Sequence, residues 1–280
     1  MIEIPETYVL SDQINNAVKN KIITNVTANA RPHNFAWFTG DPSEYHNMLT
    51  GKKIIKANPG TGYTCGGNTE ILCGDMLLVI STPIRYHCAG DNVPARHQLA
   101  IEFDDFSHLS CTVQMWGAMY CFKINEKGEL DGNHACNKKP NPLEKEFNGE
   151  YFEGLLKEIK PNTSVKAFLA TEQRIPGLGN GVLQDILFNA KINPKTKMGY
   201  LKDKGLQTLY DSVKNTLNQM YLYGGRNTEK DLFGNEGGYK TLLSCKTIKK
   251  PCPVCGTGIS RETYMGGNIY YCPECQVLKN

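Results

Sequence analysis

No apolar run in this 280-residue chain approaches the ~20 residues needed to cross a bilayer, so a membrane-spanning role is not expected. The start, Met1-Ile2-Glu3-Ile4-Pro5-Glu6, lacks the basic and apolar stretches of an export signal and is acidic instead. Charge of one sign is not in large excess: the formal net charge is +3. That balance permits a nucleic-acid partner without demanding one, because local clustering counts for more than the sum. Internal repeats, low-complexity tracts and a βαβ pattern are missing. The six histidines show no metal-ligand spacing and read as surface or hydrogen-bonded residues. What is left is a soluble chain of about two domains, expected in the cytoplasm.

Against these absences stand eleven cysteines. Four fall into two knuckles, Cys252-Pro253-Val254-Cys255 and Cys272-Pro273-Glu274-Cys275, separated by sixteen residues. A CxxC turn lets two thiolates converge, and the gap is long enough for one β-hairpin to bring both pairs together as a tetrahedral site. That spacing and the soft ligands suit Zn²⁺, one structural ion per chain. A redox dithiol or two disulfides are the alternatives, but a redox CxxC ordinarily stands alone near a βαβ pattern. The other seven (Cys65, Cys73, Cys88, Cys111, Cys121, Cys136 and Cys245) lack regular spacing and read as buried small apolar residues in a reducing compartment.

Pro5 at a first helical turn, with Glu3 and Glu6 beside the positive dipole end, predicts a helix running through Ile14 and Val18. Strand-like segments follow at Ile22–Asn29, Lys53–Asn58, Met76–Thr82, His97–Asp104 and Leu109–Ile124, punctuated by Gly, Pro, Asn and Asp. They argue for a β-sandwich or barrel. Asn133–Pro142 reads as a linker. Beyond it Leu143–Ile159, Ser164–Gln173, Asn180–Ala190 and Leu201–Tyr223 carry helical spacing, and a Gly-rich stretch from Gly224 leads into the cysteine hairpin. The expected class is α+β: an N-terminal helix plus β-sandwich domain (1–135), a helical domain (136–240) and a zinc finger (241–280).

Ile175-Pro176-Gly177-Leu178-Gly179-Asn180-Gly181 joins two of the helices through a glycine-rich turn. A helix starting there offers unpaired N–H groups and a positive dipole end to a phosphate, though a plain helical hairpin has the same turn chemistry. Lys166, that turn, Asn193-Pro194, Gly224-Gly225 and the finger ending in Gln276 form an ordered series. The series resembles the C-terminal half of the formamidopyrimidine-DNA glycosylase / endonuclease VIII family, in which a helix–two-turn–helix motif and a zinc hairpin grip damaged DNA. Members typically begin Met-Pro-Glu-Leu-Pro-Glu, which the N-terminus here is similar to. The resemblance implies DNA-phosphate contacts from Lys166, Gly179, Asn180 and the hairpin residue Asn268. It implies Glu3 as general acid toward the sugar ring oxygen and Glu6 as support for the lesion site. Carboxylates complementing the helix dipole are the plainer account of Glu3 and Glu6.

The chemistry of that family departs here at four places. Its proline nucleophile is replaced by Ile2, which leaves the Met1 α-amine, with a pKa near about 8, as the available amine. An arginine expected at the hairpin tip is Gly267, followed by Asn268; a lysine of a Gly-Lys-Tyr-like strand is Gly62; and an Arg-Arg-Phe-Gly-like element is Gln114-Met115-Trp116-Gly117. Trp116 can still wedge into a base stack, and Met115 supplies bulk but no charge. The expectation is therefore a monomeric, nucleoid-associated DNA-repair glycosylase acting on damaged double-stranded DNA, with a doubtful lyase step. The alternative is a catalytically inactive binder on the same scaffold.

Overall fold

Helix α1 (Ile4–Val18) begins at the N-terminal proline signal, with Glu6 in its first turn. Leu10, Ile14 and Val18, spaced by four on one face, bury together with Ile2. The computed structural model describes residues 2–60, 67–126, 129–130 and 139–279. Its chain divides into two compact units, one of Met1–Ile2, Glu6–Lys138 and Glu229–Glu236, the other of Glu3–Pro5, Lys139–Thr228 and Gly237–Asn280. The amine assigned to Met1, the Gly62 position, Cys65, Cys136 and most of the expected linker lie outside the described residues.

In the first unit two sheets share one apolar core. The strands are β1 (Ile23–Ala28), β2 (Ala36–Phe38), β3 (Ile54–Gly60), β4 (Asn68–Cys73), β5 (Met76–Ile80), β6 (Ile84–His87), β7 (Leu99–Phe103), β8 (His108–Cys111) and β9 (Gly117–Lys123), with a short helix α2 (Tyr45–Leu49) between β2 and β3. One sheet runs β1-β7-β8-β6 and the other β2-β9-β5-β4-β3. Inward residues of both, including Val26, Ile101, Ile71 and Leu78, bury together with α1. The long segment Leu109–Ile124 is two strands in different sheets, broken at Thr112–Trp116 where the chain changes sheet. Burial as small apolar residues holds for Cys73, Cys111 and Cys121, whereas Cys88 and Cys245 are exposed. Leu232, from the Glu229–Glu236 segment, joins this core. Its backbone N–H donates to Gln13 Oε1 (2.9 Å), and its carbonyl accepts from Tyr86 N (2.9 Å).

The second unit holds α3 (Gly149–Lys157), a π-helical turn at Ala167–Thr171, α4 (Asn180–Asn189) and α5 (Asp203–Leu222). Helix α3 is shorter than its periodicity predicts because Asn148 caps it, its side chain accepting from Tyr151 N at 2.9 Å. Phe147, just before that cap, is buried and stacks on Tyr210 of α5. Strands β10 (Ser260–Tyr264) and β11 (Gly267–Tyr271) form the C-terminal hairpin. No helix among the described residues is long and apolar enough to cross a membrane.

Candidate metal centre and nucleic-acid interface

The four knuckle thiols, Cys252, Cys255, Cys272 and Cys275, lie within 4.8 Å of one another. Arms of ~2.3 Å in a tetrahedral thiolate site put the sulfurs about 3.8 Å apart. Cys252 and Cys275 are at 3.8 Å and Cys255 and Cys272 at 3.4 Å, far longer than any disulfide. Gly256 at φ +78 lets the first knuckle turn, with Cys252 N–H on the Thr257 carbonyl at 2.8 Å. In the second knuckle Cys275 N–H points at Cys272 Sγ (3.4 Å). Hydrogen bonding from Thr257 pulls the Cys255 thiol down to about 6, while burial pushes Cys272 up and the hydrogen bond to Cys255 pushes Cys275 up to about 12. Four thiols this close ionise together only around a cation, so the donor set can hold a metal ion.

Gln276 anchors the second knuckle. Its side chain accepts from Cys272 N–H and donates to the Ile192 carbonyl, both at 2.9 Å, and its own carbonyl receives Asn193 Nδ2 at 3.0 Å. At the hairpin's other end, Met265 and Gly266 both take positive φ, the two-residue turn that matches strand twist. Lys166, almost wholly buried, donates from Nζ to the carbonyls of Tyr264 and, at 3.4 Å, Gly267. Asn180 Nδ2 donates to the Asn268 carbonyl at 2.7 Å. Gln184, one turn along α4, donates to the same carbonyl (3.2 Å) and accepts Tyr270 N–H (2.9 Å). Burial lowers the Lys166 pKa below the ordinary lysine value. Lys166, Asn180 and Asn268 thus converge at the hairpin tip, with Gly179 as the residue before α4.

The start of α4 is not an open anion site. Glu3 fills it, accepting Gly181 N–H at 2.9 Å and Val182 N–H at 2.8 Å, while Ile4 N–H reaches the Gly177 carbonyl at 3.0 Å. The Arg226 guanidinium stands 3.5 Å from the Glu3 carboxylate, and both side chains are buried, at 2% and 7% exposure. Two glycines make this possible. A Cβ on Gly179 would come within 2.5 Å of Glu3 Oε1, and one on Gly181 would run into the Arg226 head. Glu6 is buried as well and belongs to the first unit.

Sequence reasoning missed Arg226, Gln184 and Asp185. Asp185 is buried at the centre of the unit and accepts the backbone N–H groups of Leu242 (2.9 Å) and Leu243 (2.8 Å). The available signals were a long cation directly after Gly224-Gly225 and two polar residues on an otherwise apolar helix.

A β-sandwich unit and a helical unit carrying a four-cysteine hairpin braced on a helix–turn–helix define a two-unit α+β scaffold. A family model described as the formamidopyrimidine-DNA glycosylase H2TH domain matches residues 139–230. The chain is similar over its whole length to formamidopyrimidine-DNA glycosylase of Bacillus subtilis, 28% identical with 100% of each chain covered. It is also similar to that of a Wolbachia strain, at 29% identity over 99% of this chain and 100% of the relative. Among solved structures it resembles the Lactococcus lactis Fpg (MutM) bound to DNA containing N7-benzyl-Fapy-dG, with a TM-score of 0.80, 20% identity, and 98% and 99% of the two chains covered. MutM (Fpg) of Thermus thermophilus gives 0.76 at 18% identity, covering 99% and 100%. Residues 139–230 thus match the H2TH domain of formamidopyrimidine-DNA glycosylases, and the whole chain is similar in sequence and fold to these enzymes.

Proposed function

We propose that this protein recognises a damaged base in duplex DNA and hydrolyses its N-glycosidic bond, with Glu3 at the reacting sugar. The observation that carries the reading is the placement of the Glu3 carboxylate on the helix–two-turn–helix turn, whose Lys166 and Asn180 also hold the hairpin tip. In the hydrolysis, water oxygen bonds to C1′, the C1′–N bond breaks, and the departing base nitrogen keeps its electron pair and takes a proton. Glu3 serves the sugar ring oxygen as the bond breaks, and Glu6 supports the lesion site from α1. Asn180 and Asn268 meet backbone phosphates at the hairpin tip, beside the turn that Gly179 ends, and Lys166 adds charge. Extruding the base costs a few kcal/mol, least for a lesion that already pairs badly. Zn²⁺ in the four-cysteine site would hold the knuckles together and perform no chemistry. The domains at 1–135, 136–240 and 241–280 act as one monomer on DNA in the cytoplasm.

A second reading rests on Ile2. Its side chain is buried in the sandwich core at 4% exposure, where relatives by resemblance would offer a free proline amine. A packed apolar residue at that position favours a poor lyase step, or a binder without chemistry. Base release and borohydride trapping on oxidised-base and abasic duplexes test both readings. The glycosylase reading expects base release by wild type that is lost in Glu3→Gln, with little trapped adduct until Ile2→Pro is introduced. Salt-dependent binding to lesion duplexes with no base released across a broad panel would replace it with the binder.

A further inference from the structure

The chain has only two tryptophans, and they touch each other at the surface. Trp37 of β2 and Trp116, before β9, have ring centroids 5.8 Å apart at a 50° tilt. Trp37 is 43% exposed, and Phe35, two residues before it, and Met115, next to Trp116, are exposed further, at 56% and 75%. Large apolar side chains gathered on a surface mark a binding site more often than chance exposure.

The pair is braced from beneath. Trp37 and Ala118 are partners in the parallel β2–β9 ladder, and Gly117 N–H donates to the Phe35 carbonyl at 2.9 Å. A Cβ on Gly117 would press to 2.8 Å from Thr82, so this position must stay small for the strand to lie where it does. Buried Gln98 ties the flanking loops together, donating to the Arg31 carbonyl at 2.9 Å and accepting Val113 N–H at 2.7 Å. Thr112 Oγ1 adds a bond to the Arg96 carbonyl at 3.2 Å. The three loop segments 29–35, 93–98 and 112–116 carry Arg31, His33, Arg96 and His97 but no Asp or Glu.

We propose that Trp37 and Trp116 together form a stacking platform for a nucleobase that has lost its neighbour in the duplex, with Arg31 and Arg96 facing the adjoining phosphates. Every base offers a π-face, so aromatic stacking tolerates sequence, and cations without competing carboxylates supply the charge complementarity. The proposal rests on the DNA reading above but uses only the first unit. It adds Trp37, which stacks beside Trp116 instead of leaving a single wedge.

Because all indole emission comes from this pair, its quenching reports the platform directly. Wild type, Trp37→Leu and Trp37→Phe are titrated with a duplex carrying one tetrahydrofuran abasic site and with the fully paired duplex, following tryptophan emission and, independently, the anisotropy of labelled DNA. The expected result is stronger quenching by the abasic duplex. Trp37→Leu should then bind it about 5- to 100-fold more weakly, with Trp37→Phe restoring most of the loss. Leucine keeps the apolar bulk of an exposed position, so folding is preserved. Salt-sensitive anisotropy binding with unchanged emission and an unaffected Trp37→Leu overturns the platform and leaves the DNA reading standing. If no salt-dependent binding to either duplex occurs, both fall together.

Discussion

Replacing Glu3 by glutamine should destabilise the fold as well as the chemistry. The Glu3 carboxylate accepts two backbone N–H groups at 2.8–2.9 Å and faces the buried Arg226 at 3.5 Å. Hydrogen bonds to a charged acceptor contribute about 1.5–3 kcal/mol each against about 0.5–1.5 for a neutral one, so the two weakened bonds cost about 2 kcal/mol. Glutamine also presents an NH₂ group to the two N–H donors and the guanidinium that face this carboxylate. Breaking one side of a buried ion pair typically costs about 3–5 kcal/mol by itself, with some of that already counted in the hydrogen bonds. A loss of about 3–5 kcal/mol is expected, from a total that for a natural domain is about 5–15.

Urea denaturation of Glu3→Gln, Arg226→Met and the double variant, each checked for bound metal, measures this loss. If the pair acts as one unit, the double variant falls short of the sum of the singles by at least about 1 kcal/mol. A Glu3→Gln protein within about 0.5 kcal/mol of wild type, or strictly additive variants, would refute the argument that Glu3 anchors the turn. The stability measurement has to precede any activity measurement. Lost base release in a half-unfolded variant says nothing about proton transfer.

Stripping the metal with a chelator should release one zinc per chain, measured by atomic absorption, and weaken duplex binding; undiminished binding by the stripped protein would separate the hairpin from DNA. Arg261 on β10 is exposed and its Nε lies 3.3 Å from Asn268 Oδ1, so Arg261→Ala should reduce the slope of log affinity against log salt by about 1, read by anisotropy titration at several salt concentrations. Gly237→Ala should fail to fold or lose several kcal/mol, because its Cβ would strike the Gly225 carbonyl, where no flexible side chain can yield; a soluble variant with wild-type unfolding would contradict that packing. Burial pushes Asp185 up to about 6 despite the Leu242 and Leu243 N–H bonds and Arg226, so the native state binds the proton more tightly than the unfolded chain. Its stabilising contribution is present below pH ~4 and is lost as pH rises toward 6, and Asp185→Asn should flatten that part of the stability–pH profile.

What could be read from the sequence was what is local in it. The cysteine knuckles are each four residues long, and the glycine-rich turn between helices spells out its own geometry, so both were legible without knowing the partners. Helix α1 was legible for the same reason, through Pro5 and the four-residue spacing of Leu10, Ile14 and Val18. Strands β2, β4 and β6 were missed. The three residues of β2 carry no usable period and exist only because β9 pairs with them, and β4 is buried on both faces, which erases alternation. Ser164–Gln173 has helical spacing but contains a π-helical turn, a distinction made by backbone hydrogen bonding and not by which residues are apolar.

The least legible feature is the one that most changes the reading of the candidate site. A helix N-terminus behind a glycine turn looks like a phosphate cradle, and Lys166 and Asn180 look like its outstretched donors. In the folded chain much of that donor capacity is committed internally: two α4 N–H groups to Glu3, Asn180 to Asn268, and Lys166 to Tyr264 and Gly267. Those partners lie 88 to 179 positions away, so no window of sequence contains them. The consequence is a division of labour. The turn sets the pose of the carboxylate on one side and of the hairpin tip on the other, and on the proposed DNA reading contact with a phosphate then falls to groups with donors to spare, the unused amide hydrogen of Asn180, the Asn268 side chain and the exposed Arg261. A glycine at 181 and an arginine at 226 then make sense as a pair, since the first exists to leave room for the second. Restoring a side chain at Gly181 should therefore release Arg226 from Glu3 without touching either residue. Gly181→Ala should reproduce most of the destabilisation of Arg226→Met, and a fully stable Gly181→Ala would show that the guanidinium has another place to go.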